Sequence, residues 1–346
     1  MANPEHLEIL RRGIGDWYRW RRENSDIKPD LTGANLRKAN LEHFYFRGAN
    51  LREADLQGAN LQEADFREAN LQGINLQNTN LQEADFREAN LQEANFREAN
   101  LQEADFREAN LQGADLQGTN LQDASFSGAS LQNVNLQNAN ITNANLVKAN
   151  LSQSNFSKAI LSRANFYRAV LTSSSFVKAD CRNTIFSKAN LESSNLQQAE
   201  MVATIALKTN LEGVKITGAC IQDWNINSET NLKNVECDYI YLKSRWEKEN
   251  RKVFFEERRP HNPDEIFASG DFERLLRKAQ ETVDLIFRNG IDWQAFLNSY
   301  EQLKVDAGGD FLPIQAIENK GDGSFVVRIQ APPELDKGKI QKSFET

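Results

Sequence analysis

Residues 86–110 read FREANLQEANFREANLQEADFREAN, with a Leu or Phe at every fifth position and Ala two places before each. Neither standard period fits this spacing. On an α-helix five residues advance about 500°, so the large side chains would drift around the whole cylinder. On a straight strand, successive large residues would point to opposite faces. One side stays buried only if the chain itself turns once per repeat.

Outward from that stretch, the register opens at Leu31 and is expected to hold to about Thr230 without insertion or deletion, roughly forty pentapeptides. Central positions run Leu31, Leu36, Leu41, Phe46, Leu51 and on to Ile216, Ile221 and Ile226. The position two before is mostly Ala, as at Ala49, Ala54, Ala59, Ala64 and Ala69. Between them stands Asn or Asp, residues that tolerate left-handed backbone angles and bond their own turns. Phenylalanine exposes a longer period. Phe46, Phe66, Phe86, Phe106 and Phe126 are twenty apart, Leu146 interrupts, and Phe166 and Phe186 resume. A companion column from Leu31 through Leu51 and Leu71 to Leu211 is pure leucine. Four pentapeptides therefore make one coil, with equivalent residues stacked on the next. The expected fold is an all-β repeat solenoid, a four-sided parallel β-helix of about ten coils. At ~4.8 Å per stacked strand the rod is roughly 45–50 Å long. Each coil buries large side chains at ~1.5–3 kcal/mol apiece. Alanine fills the remaining interior, where anything larger would overpack.

The A(D/N)LXX pattern, as in Ala64-Asp65-Phe66-Arg67-Glu68, resembles that of the pentapeptide-repeat proteins over about 200 of the 346 residues. The resemblance implies a right-handed quadrilateral β-helix; the hand comes from the family alone. Departures sit near the ends. Phe44 and Trp224 occupy small-residue positions of the first and last coils and are expected to plug them, and Ala206 replaces a large core residue.

Stacked strands leave two open ends, so caps are expected. Residues 1–30 are read as a capping helix and entry segment. Asn3 and Pro4 suit N-cap and N1, and Leu7, Leu10, Ile14, Trp17 and Tyr18 follow on one face, weakened by Gly13 and Gly15. Arg11, Arg12, Arg19 and Arg22 line the other face, a pattern that also suits a membrane surface. Residues 31–230 are the β-helix. Residues 231–265 are read as a second cap, with Tyr239, Ile240, Tyr241 and Leu242 covering the end, followed by a charged linker over 246–265 marked by Pro260 and Pro263. Residues 266–346 are read as a small α+β domain. Its expected elements are a helix over Asp271–Arg288 ended by Asn289-Gly290, a helix over Asp292–Val305, and strands over 311–318 and 324–331 joined by Lys320-Gly321-Asp322-Gly323. This segment resembles the C-terminal region of some cyanobacterial pentapeptide-repeat proteins. The tail, LDKGKIQKSFET, stops as a helix begins, which fits a truncated product.

The net charge is −8 and the pI about 5.2, which gives no bulk attraction to nucleic acid or anionic lipid. Cys181, Cys220 and Cys237 show no ligand spacing, and sparse cysteine fits a reducing compartment. The chain begins without a secretory-signal pattern and has no apolar run long enough for a membrane span. A cytoplasmic protein is expected. His6, His43 and His261 are scattered, and no P-loop, GxGxxG or GxSxG occurs. The carboxylates lie outside, with nothing to desolvate them, whereas a general acid needs a cleft. No enzyme activity and no cofactor are expected.

The outward charges form columns. One runs Gly48, Glu68, Glu88, Glu108, Gly128, Lys148, Arg168, Lys188, Lys208, acidic early and basic late, with Arg47, Arg67, Arg87 and Arg107 flanking the glutamates. A second adds Glu63, Glu83, Glu103 and Asp123, and another Lys158 and Lys178. Such faces serve as solvated armour, and the Gln columns as amide ladders. The same charges also suit docking of a partner of opposite sign. The first functional expectation is a non-catalytic scaffold or adaptor that binds protein through the rod and the C-terminal domain. The second is implied by the resemblance. Some pentapeptide-repeat proteins, including quinolone-resistance ones, bind DNA gyrase by imitating duplex DNA, and the acidic early coils are compatible with that. Against it, the column turns basic at Lys148. Nucleic-acid binding by the basic coils lacks interleaved exposed aromatics.

Overall fold

One pentapeptide, Asn60–Ala64, accounts for the frame. Its five backbone N–H groups all have acceptors. Asn60 donates to Ala39 O (2.9 Å), Leu61 to Asn80 O (2.7 Å), Glu63 to Gln82 O (2.9 Å) and Ala64 back to Leu61 O (3.1 Å). The remaining donor, Gln62 N–H, is taken by the Asn60 side-chain Oδ1 at 3.4 Å. Asn or Asp therefore suits the place before a core residue because its side chain closes the one backbone bond that stacking leaves open. The left-handed residue is a different one. It stands two places after the core residue, as at Glu63 with φ 54°, and Asn60 itself is not left-handed. Asn and Asp tolerate that conformation, but here they only bond the turn, which puts its third residue at positive φ, as a type II turn does.

The computed structural model describes residues 1–247, 252–280, 282–288, 291–306, 314–319 and 324–330, with Ile340 and Phe344. Single parallel bridges join each residue before a core position to its equivalent twenty residues on, from Asp30–Asn50 to Ile205–Asn225. A turn every five residues leaves room for no longer strand. The coils make a four-sided parallel β-helix whose inward Leu, Phe and Ala are buried, with Ala39 of the first coil half-buried. Phe86, Phe106 and Phe126 stack at 4.8 Å between successive ring centres. Phe96, on the opposite side, meets Phe86 edge-on at 5.9 Å. In the later coils Ser or Thr replaces the buried Ala, and each hydroxyl finds a carbonyl in the previous coil, as Ser174 Oγ does at Leu151 O (2.8 Å). Outside the core, Asn amides form ladders. Asn100 donates to Asn80 Oδ1 (3.2 Å) and accepts from Asn120 Nδ2 (3.0 Å) and Gln102 N–H (3.4 Å). Replacing Asn100 with Ala is expected to cost ~1–2 kcal/mol in chemical denaturation, because it orphans the Gln102 donor as well as breaking the ladder.

The expected uninterrupted register to Thr230 needs a correction. From Asn210–Asn231 through Lys215–Glu236 to Cys220–Tyr241 the offset is twenty-one residues. One residue is inserted between Asn225 and Asn231, and stacking continues with Thr230 and Leu232 buried where Ala and Leu would stand.

The N-terminal segment forms two helices, α1 (Pro4–Arg11) and α2 (Ile14–Glu23), where one was expected. Gly13, at φ 109°, turns the chain between them in a conformation that L side chains rarely adopt. Asn3 Oδ1 caps α1 by accepting from Glu5 N–H at 2.9 Å. The turn redistributes the apolar face: Ile14 and Tyr18 are exposed, and Leu10, Trp17 and His6 are buried. Trp17 lies against Phe46 (5.9 Å) and donates its indole N–H to Tyr45 O (2.8 Å), covering the open first coil. Phe44 is buried beside Phe46; Trp224 is half-buried, and its indole N–H has no acceptor among the described residues.

The stretch read as a linker is a hairpin. Strands β1 (Ile240–Glu247) and β2 (Lys252–Arg259) pair antiparallel, with Tyr241 opposite Arg258 and Lys243 opposite Glu256. Its charges pair across the strands, Arg245 with Glu256 at 2.6 Å, so a charged sequence is compatible with a ladder. Glu200, on the coil beneath, accepts from Ser244 Oγ at 2.8 Å; burial pushes its carboxyl up despite that bond and Arg182.

The chain divides into two compact units, Met1–Gly270 and Asp271–Thr346. The expected divide at 265/266 moves because Phe267 N–H is held by Asp238 O (2.8 Å). The second unit contains α3 (Asp271–Gln280), β3 (Thr282–Phe287), α4 (Trp293–Asp306), β4 (Ile314–Asn319) and β5 (Phe325–Gln330). The strands form an antiparallel sheet in the order β3-β5-β4. The helix expected to run to Arg288 ends at Gln280. Residues 282–287 also alternate with period two, and a hairpin alone is marginal, so a third strand against β5 wins over helical continuation. Leu285, Phe296, Tyr300, Leu303, Val327, Ile329 and Ile340 make its core. Asn289-Gly290, residues 311–313, the turn Lys320–Gly323 and most of the tail lie outside the described residues. Among the described residues, no helix is long and apolar enough to cross a membrane.

Candidate interaction surface

All ten charged residues singled out from the sequence occupy the left-handed corner position. Glu63, Glu68, Glu83, Glu88, Glu103, Glu108, Lys148, Arg168, Lys188 and Lys208 have φ between 54° and 61°. Their side chains therefore leave the rod at its outer corners, one per coil in each column. Glu68, Glu88, Glu108, Lys148, Arg168, Lys188 and Lys208 follow one another along a single edge. Glu63, Glu83 and Glu103 line the neighbouring edge. There Glu63 lies 3.3 Å from the His43 ring, while Glu83 and Glu103 accept from Gln82 (3.4 Å) and Gln102 (3.1 Å).

Most of the arginines that flank these glutamates pair elsewhere. Only Arg47 reaches a glutamate of its edge, Glu68 at 2.6 Å. Arg67, Arg87 and Arg107 instead grip Asp65, Asp85 and Asp105, each at 2.6 Å. Arg67 and Arg87 also reach the aspartate of the next coil, at 3.4 and 3.6 Å. The reason is the period of two: in Asp-Phe-Arg the aspartate and arginine flank an inward phenylalanine and point out together, whereas the glutamate sits past the corner. The face between the two acidic edges is thus a continuous Asp–Arg ladder, and this face with its two edges carries three acids to one base in each of these coils, as Glu63, Asp65 and Glu68 do to Arg67. Around Asp85, burial raises the carboxyl, but the hydrogen bonds from Arg87 and the charges of Arg87 and Arg67 outweigh it and hold the group below its ordinary value of 3.8. A depressed folded-state value means that the pairing of Asp85 stabilises fully above the ordinary carboxylate range and loses that contribution as pH falls through the folded value. Denaturation midpoints are therefore expected to fall below pH ~4. Asp85→Asn, which keeps the acceptor for Arg87 N–H, should show a shallower acid limb.

The late half of the mixed edge holds an aromatic that sequence reasoning missed. Tyr167 lies between Arg168 (5.3 Å) and Lys188 (5.5 Å), each over its ring. Val147, Ile185, Ile205 and Leu207 are half-buried alongside. The signal was present, since hydrophobic residues replace Asn and Arg at several outward positions of these coils, as Tyr45 does in the first coil. A cavity of about 600 Å³ lies beside Gly13 and the first coil, lined by Leu10, Ile14, Leu41 and Phe44 with His43 and Glu42 at its rim. Those two polar side chains are half-exposed, so nothing there is desolvated enough to act as a buried acid. The thiols are no better placed: burial pushes Cys220 up to about 11 and Cys237 to about 12. Among the described residues no group of His, Cys, Asp and Glu is disposed to hold a metal.

Residues 30–201 match the family model of the pentapeptide repeats, in eight copies. The chain belongs to the pentapeptide-repeat family. Its coils have that family's right-handed quadrilateral β-helix. Among solved structures, this pentapeptide-repeat protein is similar to HetL, a pentapeptide repeat protein involved in heterocyst differentiation regulation from the cyanobacterium Nostoc sp. strain PCC 7120. The two are 26% identical over 64% of this chain and 94% of HetL, with a TM-score of 0.41. It is similar also to a pentapeptide repeat protein of the Arabidopsis thaliana thylakoid lumen, at 30% identity over 27% of this chain and 66% of that one, TM-score 0.27. A third is full-length QnrB1, a plasmid-mediated fluoroquinolone resistance protein, at 19% identity over 60% of this chain and 90% of that one, TM-score 0.22. No curated protein sequence matches the chain.

Proposed function

We propose that this pentapeptide-repeat protein is a non-catalytic scaffold of about ten coils, which binds partner proteins through the charged outer edges of its rod and makes a second contact through its C-terminal unit. One observation carries the reading. Every charged residue in the two edges projects from an identical left-handed corner, so the rod presents a stiff, evenly spaced array of charge outside any cleft. Such an array suits recognition of a long surface of opposite sign and does not suit acid–base chemistry. The Glu63–Glu83–Glu103 edge favours a partner with a basic face. Three free cysteines in a fold held without disulfides support a reducing, cytoplasmic setting.

A quantitative pull-down from source-cell lysate, with the intact chain and with a form ending at Gly270, tests the two-contact arrangement. Capture of one partner by both forms, stronger with the intact chain, is the expected result. Equal capture by both removes the C-terminal unit from the proposal.

The alternative is docking onto DNA gyrase by imitation of duplex DNA, favoured by two neighbouring acidic edges. Two features oppose it: the edge turns basic from Lys148 onward, and arginines neutralise part of the face between the acidic edges. A supercoiling assay is expected to show no inhibition of gyrase at micromolar protein, and clear inhibition would favour the alternative.

A further inference from the structure

The mixed edge is antisymmetric. Counted outward from Gly128 in coil steps, Glu108 matches Lys148, Glu88 matches Arg168, and Glu68 matches Lys188. The backbone makes these positions equivalent, with φ between 58° and 73° from Glu68 to Lys188 and the same offset of twenty residues in every bridge between these coils. None of the other three edges has this property. The Glu63–Glu83–Glu103 edge, for example, meets a single base, Arg163, in its later coils.

We propose that this edge is a docking surface for a second copy of the same chain, laid antiparallel with a two-fold axis at Gly128. In that arrangement each acid of one copy faces a base of the other, giving an isologous contact of six charge pairs. The adjoining column is compatible with the same axis. Arg87 of one copy faces Tyr167 of the other, and Arg107 faces Val147, so no two like charges oppose one another. A parallel arrangement would instead set Glu88 against Glu88. Gly128 at the axis has no side chain of its own, and the Glu108 carboxylate lies over it, next to where Lys148 of the other copy would stand. Glu108 and Lys148, which flank the axis, have no ion-pair partner among the described residues. Glu68 holds the exposed Arg47, and Arg168 and Lys188 rest on the Tyr167 ring, contacts that exchange readily at a surface.

Because exposed charge pairs dominate, the association should be strongest at low ionic strength and weaken steeply as salt rises from ~0.05 to ~0.5 M. The test is sedimentation of the intact chain and two variants at micromolar concentration. One variant carries Lys148→Glu, Arg168→Glu and Lys188→Glu; the other carries Glu68→Lys, Glu88→Lys and Glu108→Lys. Both are expected to fold, because Glu and Lys already occupy this backbone position along the chain, and circular dichroism checks that. The intact chain should be a dimer at low salt. Each variant alone should be a monomer, at least about a hundredfold weaker in association. An equimolar mixture of the two variants should recover a dimer. Ser127→Cys, beside the axis, should cross-link to itself on oxidation. An intact chain that stays monomeric at low salt overturns the proposal, as does a dimer that survives either triple reversal or a mixture that remains monomeric.

Discussion

Phe106→Ala is expected to cost ~3–5 kcal/mol in chemical denaturation, among the largest effects of any single core change. The Phe106 ring is fully buried, stacked on Phe86 and Phe126 at 4.8 Å each and met edge-on by Phe96 at 6.0 Å. The coil backbone is fixed by bonds to the coils on either side, so it does not collapse into the space left behind. In a solenoid each coil touches only its neighbours, and a cavity there weakens two interfaces together. Phe106→Leu is the control. Leu146 occupies the equivalent place in its coil, so leucine should cost less than ~1.5 kcal/mol. A loss for Phe106→Ala below ~2 kcal/mol would mean that the coils relax far more than their hydrogen bonding implies.

Trp17→Ala carries the other large effect, ~3–5 kcal/mol, with a second symptom. Trp17 is fully buried over Phe46, and its indole N–H is bonded to Tyr45 O. Losing the ring uncovers the apolar interior of the first coil and the unpaired backbone groups at its rim. The variant should therefore associate through its ends and form larger species by light scattering. High salt should not dissolve these species, which separates them from association along the charged edge. A destabilised variant that forms no such larger species at high salt would show that α1 and the remainder of α2 close the rod without the indole.

The rod was legible because one residue in five is large and every fourth pentapeptide repeats it. That pattern sets coil length, stacking and interior together. The extra residue before Asn231 was also legible in principle: Thr230-Asn231-Leu232 repeats Thr209-Asn210-Leu211 twenty-one residues later. The left-handed position was not assigned from the sequence, because Asn and Asp tolerate it in isolation. Here their side chains do something more useful, accepting the N–H that stacking leaves free, and Glu or Lys takes the strained corner. The Asp65–Arg67 ladder follows from alternation about an inward phenylalanine, a local rule that column counting overlooks. Residues 240–259 and 282–287 were not legible, because charge pairing across β1 and β2 and the third-strand place against β5 are tertiary facts. The candidate surface stood out as columns of charge, whereas its antisymmetry about Gly128 needs the equivalence of corners that only the coil geometry supplies.

The central claim is that the outward edges carry recognition. It is tested most directly by repeating the lysate capture with Glu63→Lys, Glu83→Lys and Glu103→Lys in the intact chain, an edge separate from the one assigned to self-pairing. If the edge recognises a basic face, the partner held by the unaltered protein is lost while the circular dichroism spectrum and melting curve are unchanged. Full retention of that partner by the folded variant would contradict the claim.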